Sequence, residues 1–294
     1  MNEDLSVEIT TENLHNYLLP GEYPSPLSDS IFKALFKNNK ESLKSFLNAM
    51  LNLNINNASD IQINDSELSI HNVGDKISHL DIYCLTTSDG IAHQINVEVQ
   101  LARNKADIER FLIYLAKIHG QYLNQGNPYK NHPVTIGLII ANFDYFPSKN
   151  SYISENMLYD ISDHTILTDS LRLIFFSLTK FLDKEAKKDC LKHLWLLFLK
   201  GKKREDFEML KYENKEIEAA VNDLERISQD TIAMLNYARE WRWKGQYEAN
   251  MQESEDIGFT KGLIKTAVGL KKANVDIDII VSCTGLSKEE VLAL

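Results

Sequence analysis

The feature that most constrains the fold of this chain is a pair of alternating segments, KISHLDIYCLTT and IAHQINVEVQ, joined by Ser88-Asp89-Gly90. Apolar and polar residues alternate in both segments, which is typical of β-strands with one buried face. Asp-Gly between two such segments predicts a tight hairpin, because both central positions of a type I′ turn need a positive φ. The sequence therefore predicts an antiparallel hairpin whose two-residue loop is Asp89-Gly90.

The hairpin loop also determines which residues of the two strands face each other. The resulting register places Asp81 directly opposite Glu98. Residues two apart share a face of a strand, so Gln100 lies on the face of Glu98, and His79 lies opposite Gln100. The other face is an apolar layer, and a slip of one residue would bury the polar set instead. This apolar layer consists of Leu80, Ile82, Cys84, Ile95, Val97 and Val99.

The carboxylates of Asp81 and Glu98 are candidate ligands of a metal ion. Two like charges opposite each other on a hairpin repel by up to about 1 kcal/mol, and a divalent cation removes this penalty. Mg²⁺ commonly takes one or two protein carboxylates and leaves its other positions to water and phosphate oxygens. The alternative interpretation is that both are solvated surface charges, paired with Lys76, Lys105 or Arg110.

The helix predicted over 104–124 follows this hairpin and carries two stripes. Its apolar stripe, at helical spacing, predicts packing on the sheet through Ile108, Phe111, Leu112, Leu115 and Ile118. A polar stripe on the other side is suited to holding a phosphate backbone. The alternative is an ordinary solvated helix face. The polar stripe consists of Arg110, Tyr114, Lys117 and Gln121.

The remaining segments predict a mixed α/β domain followed by a helical extension. We expect residues 1–27 to be a flexible lead, 28–205 the core and 206–294 the extension, so that removal from about 206 onward leaves a folded core. Ser28 is expected to cap the first helix. Further helices are predicted around 43–50 and 184–204, and strands over 66–71, 133–143 and 171–178.

Charge and composition narrow the function classes without deciding among them. The formal net charge of −10 counts against a protein that coats nucleic acid, although a locally basic groove is compatible with it. The lysine-rich stretch 180–204 is either such a groove or a solvated helix. The three cysteines show no CxxC spacing, and neither a secretory signal nor a membrane-spanning run is evident, so we expect a cytoplasmic protein.

The C-terminal end offers two interpretations. Ser287 and Glu290 form a capping-box pattern in a segment similar to a small helix-turn-helix. Such a segment either contacts DNA or serves docking and dimer formation. An earlier helix of the extension has an apolar face suited to pairing with a second copy, which predicts a homodimer through Ile217, Val221, Leu224 and Ile227.

With these residues in view, the chain resembles the recombination-promoting nuclease (Rpn) and putative transposase family, a branch of the PD-(D/E)XK nucleases. The resemblance covers roughly 28–200 and extends to the tail AREWRWKG…TGLSKEEVLAL. It implies a restriction-endonuclease-like mixed sheet flanked by helices. The matching stretches are SDSIFKALFKNNKESLKSFLNAML, KISHLDIYCLTTSDGIAHQINVEVQ, ERFLIYLAKIHGQYLNQGNPYKNHPVTIGLIIANF and LRLIFFSLTKF.

Carried over by position, the resemblance makes Asp81 the motif aspartate and Glu98 the second carboxylate. Gln100 occupies the usual lysine position. Glutamine has no titratable group, so it orients a water molecule without acting as its base. Asp29 matches the acidic residue of the first helix, and the helix after the motif is matched by Arg110 and Tyr114.

The function implied is a metal-dependent DNA endonuclease in recombination, mobile-element or phage-defence biology. Mg²⁺, or alternatively Mn²⁺ or Ca²⁺, is expected at Asp81, Glu98 and the Val99 carbonyl, with Gln100 as the third catalytic residue. The alternative is a catalytically silent protein that binds DNA or protein partners through the same fold and its C-terminal helices. The residues expected to face DNA are Asp29, Lys33, Arg110, Tyr114 and Lys117.

Overall fold

The computed structural model describes residues 9–11, 14, 17–18, 20–64, 67–68, 78–122 and 132–294. The described helices are α1 Asp29–Asn38, α2 Lys40–Leu51, α3 Asp107–Gln121, α4 Leu191–Lys200, α5 Arg204–Lys211, α6 Lys215–Gln229, α7 Thr231–Lys272, α8 Ile277–Thr284 and α9 Lys288–Ala293. The described strands are β1 Gln62–Asn64, β2 Glu67–Leu68, β3 Ser78–His79, β4 Ile82–Ser88, β5 Ile91–Gln100, β6 Val134–Ala141, β7 Ile153–Asp160 and β8 Thr165–Ser177.

A mixed sheet forms the centre of the fold, with strand order β1-β4-β5-β6-β8-β7. Strands β5, β6 and β8 are parallel, and the others join antiparallel. In the β4–β5 hairpin, Ser88 pairs with Ile91, and both loop residues have the positive φ expected, 49° at Asp89 and 79° at Gly90. The predicted hairpin and its register are confirmed from Ser88 back to Ile82.

The hairpin differs from the prediction beyond Ile82, because β4 begins there and Asp81 lies in a bend. In a continued ladder, the Val99 N–H would bond to Leu80, but Asp81 Oδ2 accepts it instead at 2.8 Å. The chain therefore leaves the sheet. Leu80 packs against Ile118 rather than in the apolar layer. The prediction that His79 lies opposite Gln100 is wrong, since His79 pairs with Glu67 in a separate two-stranded sheet.

Helices cover both faces of the sheet. The main core lies between one sheet face, which includes Val97, and helices α1, α2, α4, α5 and α6. Helix α3 covers the other face through Phe111 and Leu115. The predicted apolar stripe of α3 is wrong at Leu112, which is 50% exposed. The helix is rotated relative to the prediction, so that the polar side chain of Arg110 contacts the sheet.

The compact unit that contains the sheet runs from Val7 to Glu240 rather than ending near 205. Helices α5 and α6 bury their apolar faces in the main core, where Phe207, Ile217 and Val221 are 0% exposed. The face of α6 that was predicted to pair with a second copy, including Leu224 and Ile227, is therefore covered by its own chain.

Two other segments differ from their predicted state. Within the predicted lead, Tyr23 is buried, donates its N–H to the Lys202 carbonyl and contacts Phe207 edge-on, so this part is packed rather than flexible. Helix α4 begins only at Leu191, and several lysines of the predicted basic stretch have acidic partners. These pairs are Lys180–Asp144, Lys188–Glu213 and Lys200–Asp183.

Among the strands, 133–143 and 171–178 correspond to β6 and β8, while β1 and β7 were not predicted. Of the strand predicted over 66–71, the structure describes only residues 67–68, which form β2.

A second compact unit contains Trp241–Leu294. Its apolar cluster joins α7 to α8 and α9 through Ala267, Ile280 and Val291. The predicted capping box is confirmed, since Ser287 and Glu290 exchange side-chain-to-backbone hydrogen bonds. Across the described residues, we find no helix with the length and apolarity that crossing a membrane requires.

Candidate active site

Two acidic side chains meet where β4 begins beside the end of β5. Glu98 is 3% exposed, and the Asp81 side chain is 14% exposed. Asp81 Oδ2 accepts the N–H of Val99, the residue after Glu98, at 2.8 Å. The bend at Asp81 therefore brings its carboxyl group next to that of Glu98.

Burial disfavours the ionised form of both carboxyl groups. Burial and the neighbouring charge of Glu98 raise the pKa of Asp81 well above its usual range. Burial likewise raises the pKa of Glu98, against the opposing effects of the Asn96 amide, Arg110 and Lys33. Like charges in a poorly solvated place favour either a shared proton or a nearby cation. The pair is thus set to attract positive charge.

Lys33 on α1 supplies one fixed positive charge beside the pair. Its Nζ lies 2.6 Å from Oδ1 of Asp29, four residues earlier on the same helix, and 3.6 Å from Asp81 Oδ1. Burial alone would lower the pKa of Lys33, but the carboxylates of Asp29 and Asp81 raise it. Lys33 therefore remains charged beside Asp81.

Arg110 on α3 binds the side chain of Gln100. Its Nη2 donates to Gln100 Oε1 and to Asp107 Oδ1, both at 3.0 Å. Asp107 is 2% exposed, and its Oδ2 also accepts the Tyr145 hydroxyl at 2.7 Å. Sequence reasoning missed Asp107 and Tyr145. The spacing of Asp107 to Arg110 by three residues on one helix was the available signal.

Asn96 is a second residue that sequence reasoning missed. Gln94, Asn96 and Glu98 form a polar row on one face of β5, and all three are buried. Asn96 Nδ2 donates to Glu98 Oε1 at 3.0 Å, whereas its Oδ1 has no hydrogen-bond partner among the described residues. An unpaired buried oxygen is costly without a ligand or water. The alternation of polar residues in HQINVEVQ was the signal.

Tyr114 and Lys117 lie on α3, the helix that carries Arg110. Burial raises the pKa of Tyr114, and the nearby charges of Glu98 and Asp81 raise it further. Its side chain packs against the small cluster of Leu80 and Ile118. Lys117 is half-buried one turn further along the helix, and its contact with DNA stays a prediction.

The oxygen atoms at this site suit a hydrated hard cation. Within the described parts of the chain, no group of three or more His, Cys, Asp and Glu residues is arranged to hold a metal ion. Mg²⁺ needs only one or two carboxylates, since it keeps several water ligands. The N–H and C=O of a strand residue point to the same side, so the Val99 carbonyl faces the side of Asp81. With the free oxygen of Asn96, these groups fit such an ion.

Comparison with known protein families identifies a family for most of the chain. The family model described as PD-(D/E)XK nuclease family transposase matches residues 26–253, which include all the site residues above. No curated protein and no solved structure gives a significant match. The family supports a nuclease-type function, and its fold agrees with the mixed sheet flanked by helices. The chain therefore belongs to the PD-(D/E)XK nuclease family transposases.

Proposed function

We propose that this protein is a divalent-metal-dependent DNA endonuclease that hydrolyses phosphodiester bonds. The observation that carries the proposal is the buried pair Asp81 and Glu98, whose pKa values are both raised and which lies between two cationic side chains. These carboxylates and the Val99 carbonyl would hold Mg²⁺, with Mn²⁺ or Ca²⁺ as alternatives. When bound, such an ion supplies water of lowered pKa and offsets charge on the phosphate.

The side chains around the carboxylate pair have separate proposed roles in substrate and water binding. Gln100 Oε1 is engaged by Arg110, which leaves the Gln100 amide N–H groups to orient a water molecule or a phosphate oxygen. Gln100 cannot take the proton of the attacking water, so solvent or the substrate phosphate accepts it. Arg110 and Lys33 would contact the phosphate, because the positive charges of both act on Glu98.

DNA binding is proposed through a small cationic surface in an acidic protein. Lys33, Arg110, Tyr114 and Lys117 are the proposed contacts, and Asp29 assists by holding the Lys33 ammonium. Guanidinium and ammonium groups bind phosphate oxygens without reading sequence. The family description supports a setting in recombination or mobile elements, with phage defence as an alternative.

We place the protein in the cytoplasm, where its three free cysteines stay reduced. A homodimer through the C-terminal helices would use α7, α8 or α9, because α6 is covered.

Nicking of supercoiled plasmid tests the proposal. Wild-type protein with Mg²⁺ should convert supercoiled DNA to open-circular or linear forms, and EDTA should abolish the conversion, because the ion is needed at the carboxylate pair. A Glu98→Gln variant in the same buffer serves as the control for contaminating nucleases. Equal nicking by wild type and this variant would refute the site. DNA binding without nicking in any divalent metal would instead identify the catalytically silent alternative.

A further inference from the structure

The N-terminus of α1 is capped by a side chain from a distant helix. Helices usually satisfy their first N–H groups with a Ser, Thr, Asp or Asn side chain at the preceding residue. Ser28 holds that position, but its side chain accepts no hydrogen bond from a backbone N–H of the helix. Its hydroxyl instead donates to Glu240 Oε2 at 2.5 Å. The predicted cap is therefore replaced by a residue of α7.

The Glu240 carboxylate accepts hydrogen bonds from the first two residues of α1. Its Oε1 accepts the Asp29 N–H at 2.9 Å, and its Oε2 accepts the Ser30 N–H and the Ser30 hydroxyl, each at 3.1 Å. Hydrogen bonds to a carboxylate are stronger than neutral ones, and the helix dipole favours negative charge at this end. One side chain thus fixes the backbone at Asp29.

The same end of α1 carries two groups of the candidate site. Asp29 Oδ1 binds Lys33 Nζ at 2.6 Å, and Lys33 Nζ lies 3.6 Å from Asp81 Oδ1. The backbone at Asp29 sets where its carboxylate points, and that carboxylate sets where the ammonium is held. A path of hydrogen bonds and ion pairs therefore connects Glu240 to Asp81.

Glu240 stands on an anchored part of α7. Met234, Tyr237 and Ala238, in the preceding turns, are 6%, 8% and 0% exposed. Met234 and Tyr237 belong to the same apolar core as Phe32 of α1. Both ends of the contact are consequently fixed to one core, which allows Glu240 to set the position of the α1 terminus.

We infer that Glu240 is a positioning residue for the nuclease site, holding Asp29 and Lys33 against Asp81 by capping α1. The effect of Glu240 on catalysis rests on the proposed nuclease function. The position of the Lys33 ammonium, however, can be measured without any cleavage. The positioning role and the nuclease function can therefore be refuted separately.

The test is amine labelling of the full-length protein, with Lys33 modification quantified by mass spectrometry. In Glu240→Ala, the Lys33 labelling rate should rise about fivefold, in line with loss of a typical helix cap, and DNA cleavage should fall. Asn214→Ala is the matched control, because Asn214 caps α6 by accepting the Glu216 N–H at 2.7 Å and the Ile217 N–H at 3.4 Å. In that control, Lys33 labelling and cleavage should stay at wild-type levels.

A second variant keeps the test decisive where Glu240→Ala fails to fold. The double substitution Ser28→Ala with Ser30→Ala removes two donors to Glu240 and should give a smaller rise in Lys33 labelling. In a Lys33→Met background, Glu240→Ala should cost no further cleavage. Unchanged Lys33 labelling, or an equal rise in Asn214→Ala, would overturn the inference. Increased Lys33 labelling in a protein that never cleaves DNA would support the positioning role and refute only the nuclease function.

Discussion

Asp81→Asn is expected to lower DNA cleavage by about 10²–10³, the range for losing one group that stabilises transition-state charge. The substitution keeps the size of the side chain and an oxygen that accepts the Val99 N–H. It removes one charge from the carboxylate pair, and with it much of the attraction for a divalent ion. Binding of DNA should persist, because Arg110 and Lys117 are unchanged. Cleavage and DNA affinity are measured on the same preparation.

The same variant should be at least as stable as wild type when EDTA is present. Burial and the charge of Glu98 raise the pKa of Asp81. For an acid with a raised folded-state pKa, stability is lost as pH rises through that pKa, since the folded state must then carry an unfavourable charge. Asn carries no such charge at neutral pH. Urea unfolding measures the free energy of unfolding of both proteins at pH 7 and pH 5. The increase of the variant over wild type should be larger at pH 7.

Asp89→Asn is the matched control for this prediction. Asp89 is exposed in the hairpin loop at a φ of 49°, a conformation that Asn tolerates well. The control should cleave DNA and unfold as wild type does. An Asp81→Asn protein that cleaves at the wild-type rate would exclude this site, and one that loses its fold would show that Asp81 is structural.

Deletion of residues 206–294 is expected to abolish folding, whereas deletion of 241–294 should leave a folded protein. The first deletion removes the core side chains of Phe207, Ile217, Val221 and Leu224, each 0% exposed. Losing one such side chain costs about 2–5 kcal/mol, against a total stability of about 5–15 kcal/mol for a domain. The second deletion begins just after Glu240, the last residue of the compact unit.

Far-UV circular dichroism and thermal melting compare the two truncated proteins. The chain ending at 240 should melt cooperatively, and the chain ending at 205 should show no cooperative transition. A cooperative transition in the shorter protein would restore the boundary that the sequence predicted. That boundary followed from the charged composition beyond about 205, which hides the narrow apolar faces of α5 and α6.

Local patterns predicted the part of the site that lies on the hairpin. The Asp-Gly loop and strict alternation determine the β4–β5 register, because period-2 patterning has only one solution that buries the apolar layer. The break at Asp81 was not predictable in this way. It depends on whether a side-chain carboxylate or a backbone carbonyl takes the Val99 N–H, and the alternation is the same in both cases.

Contacts between residues far apart in the sequence were also not predicted. The Tyr145 hydroxyl that holds Asp107 lies 38 residues away, and Glu240 lies 211 residues from Asp29. No spacing rule connects such pairs, since they are brought together only by packing of the sheet and its helices. Strand β7 was missed for a related reason. Only Ser154 among its residues is buried, so the strand lacks a clear apolar alternation.

A crystal structure of the wild-type protein grown with Mn²⁺ tests the central claim most directly. Anomalous scattering locates Mn²⁺ without depending on how the protein is interpreted. We predict an anomalous peak in contact with the carboxylates of Asp81 and Glu98, and no peak there in crystals of Asp81→Asn grown under the same conditions. A wild-type structure at saturating Mn²⁺ with no peak at this pair, or with the ion bound elsewhere, would contradict the assignment of the site.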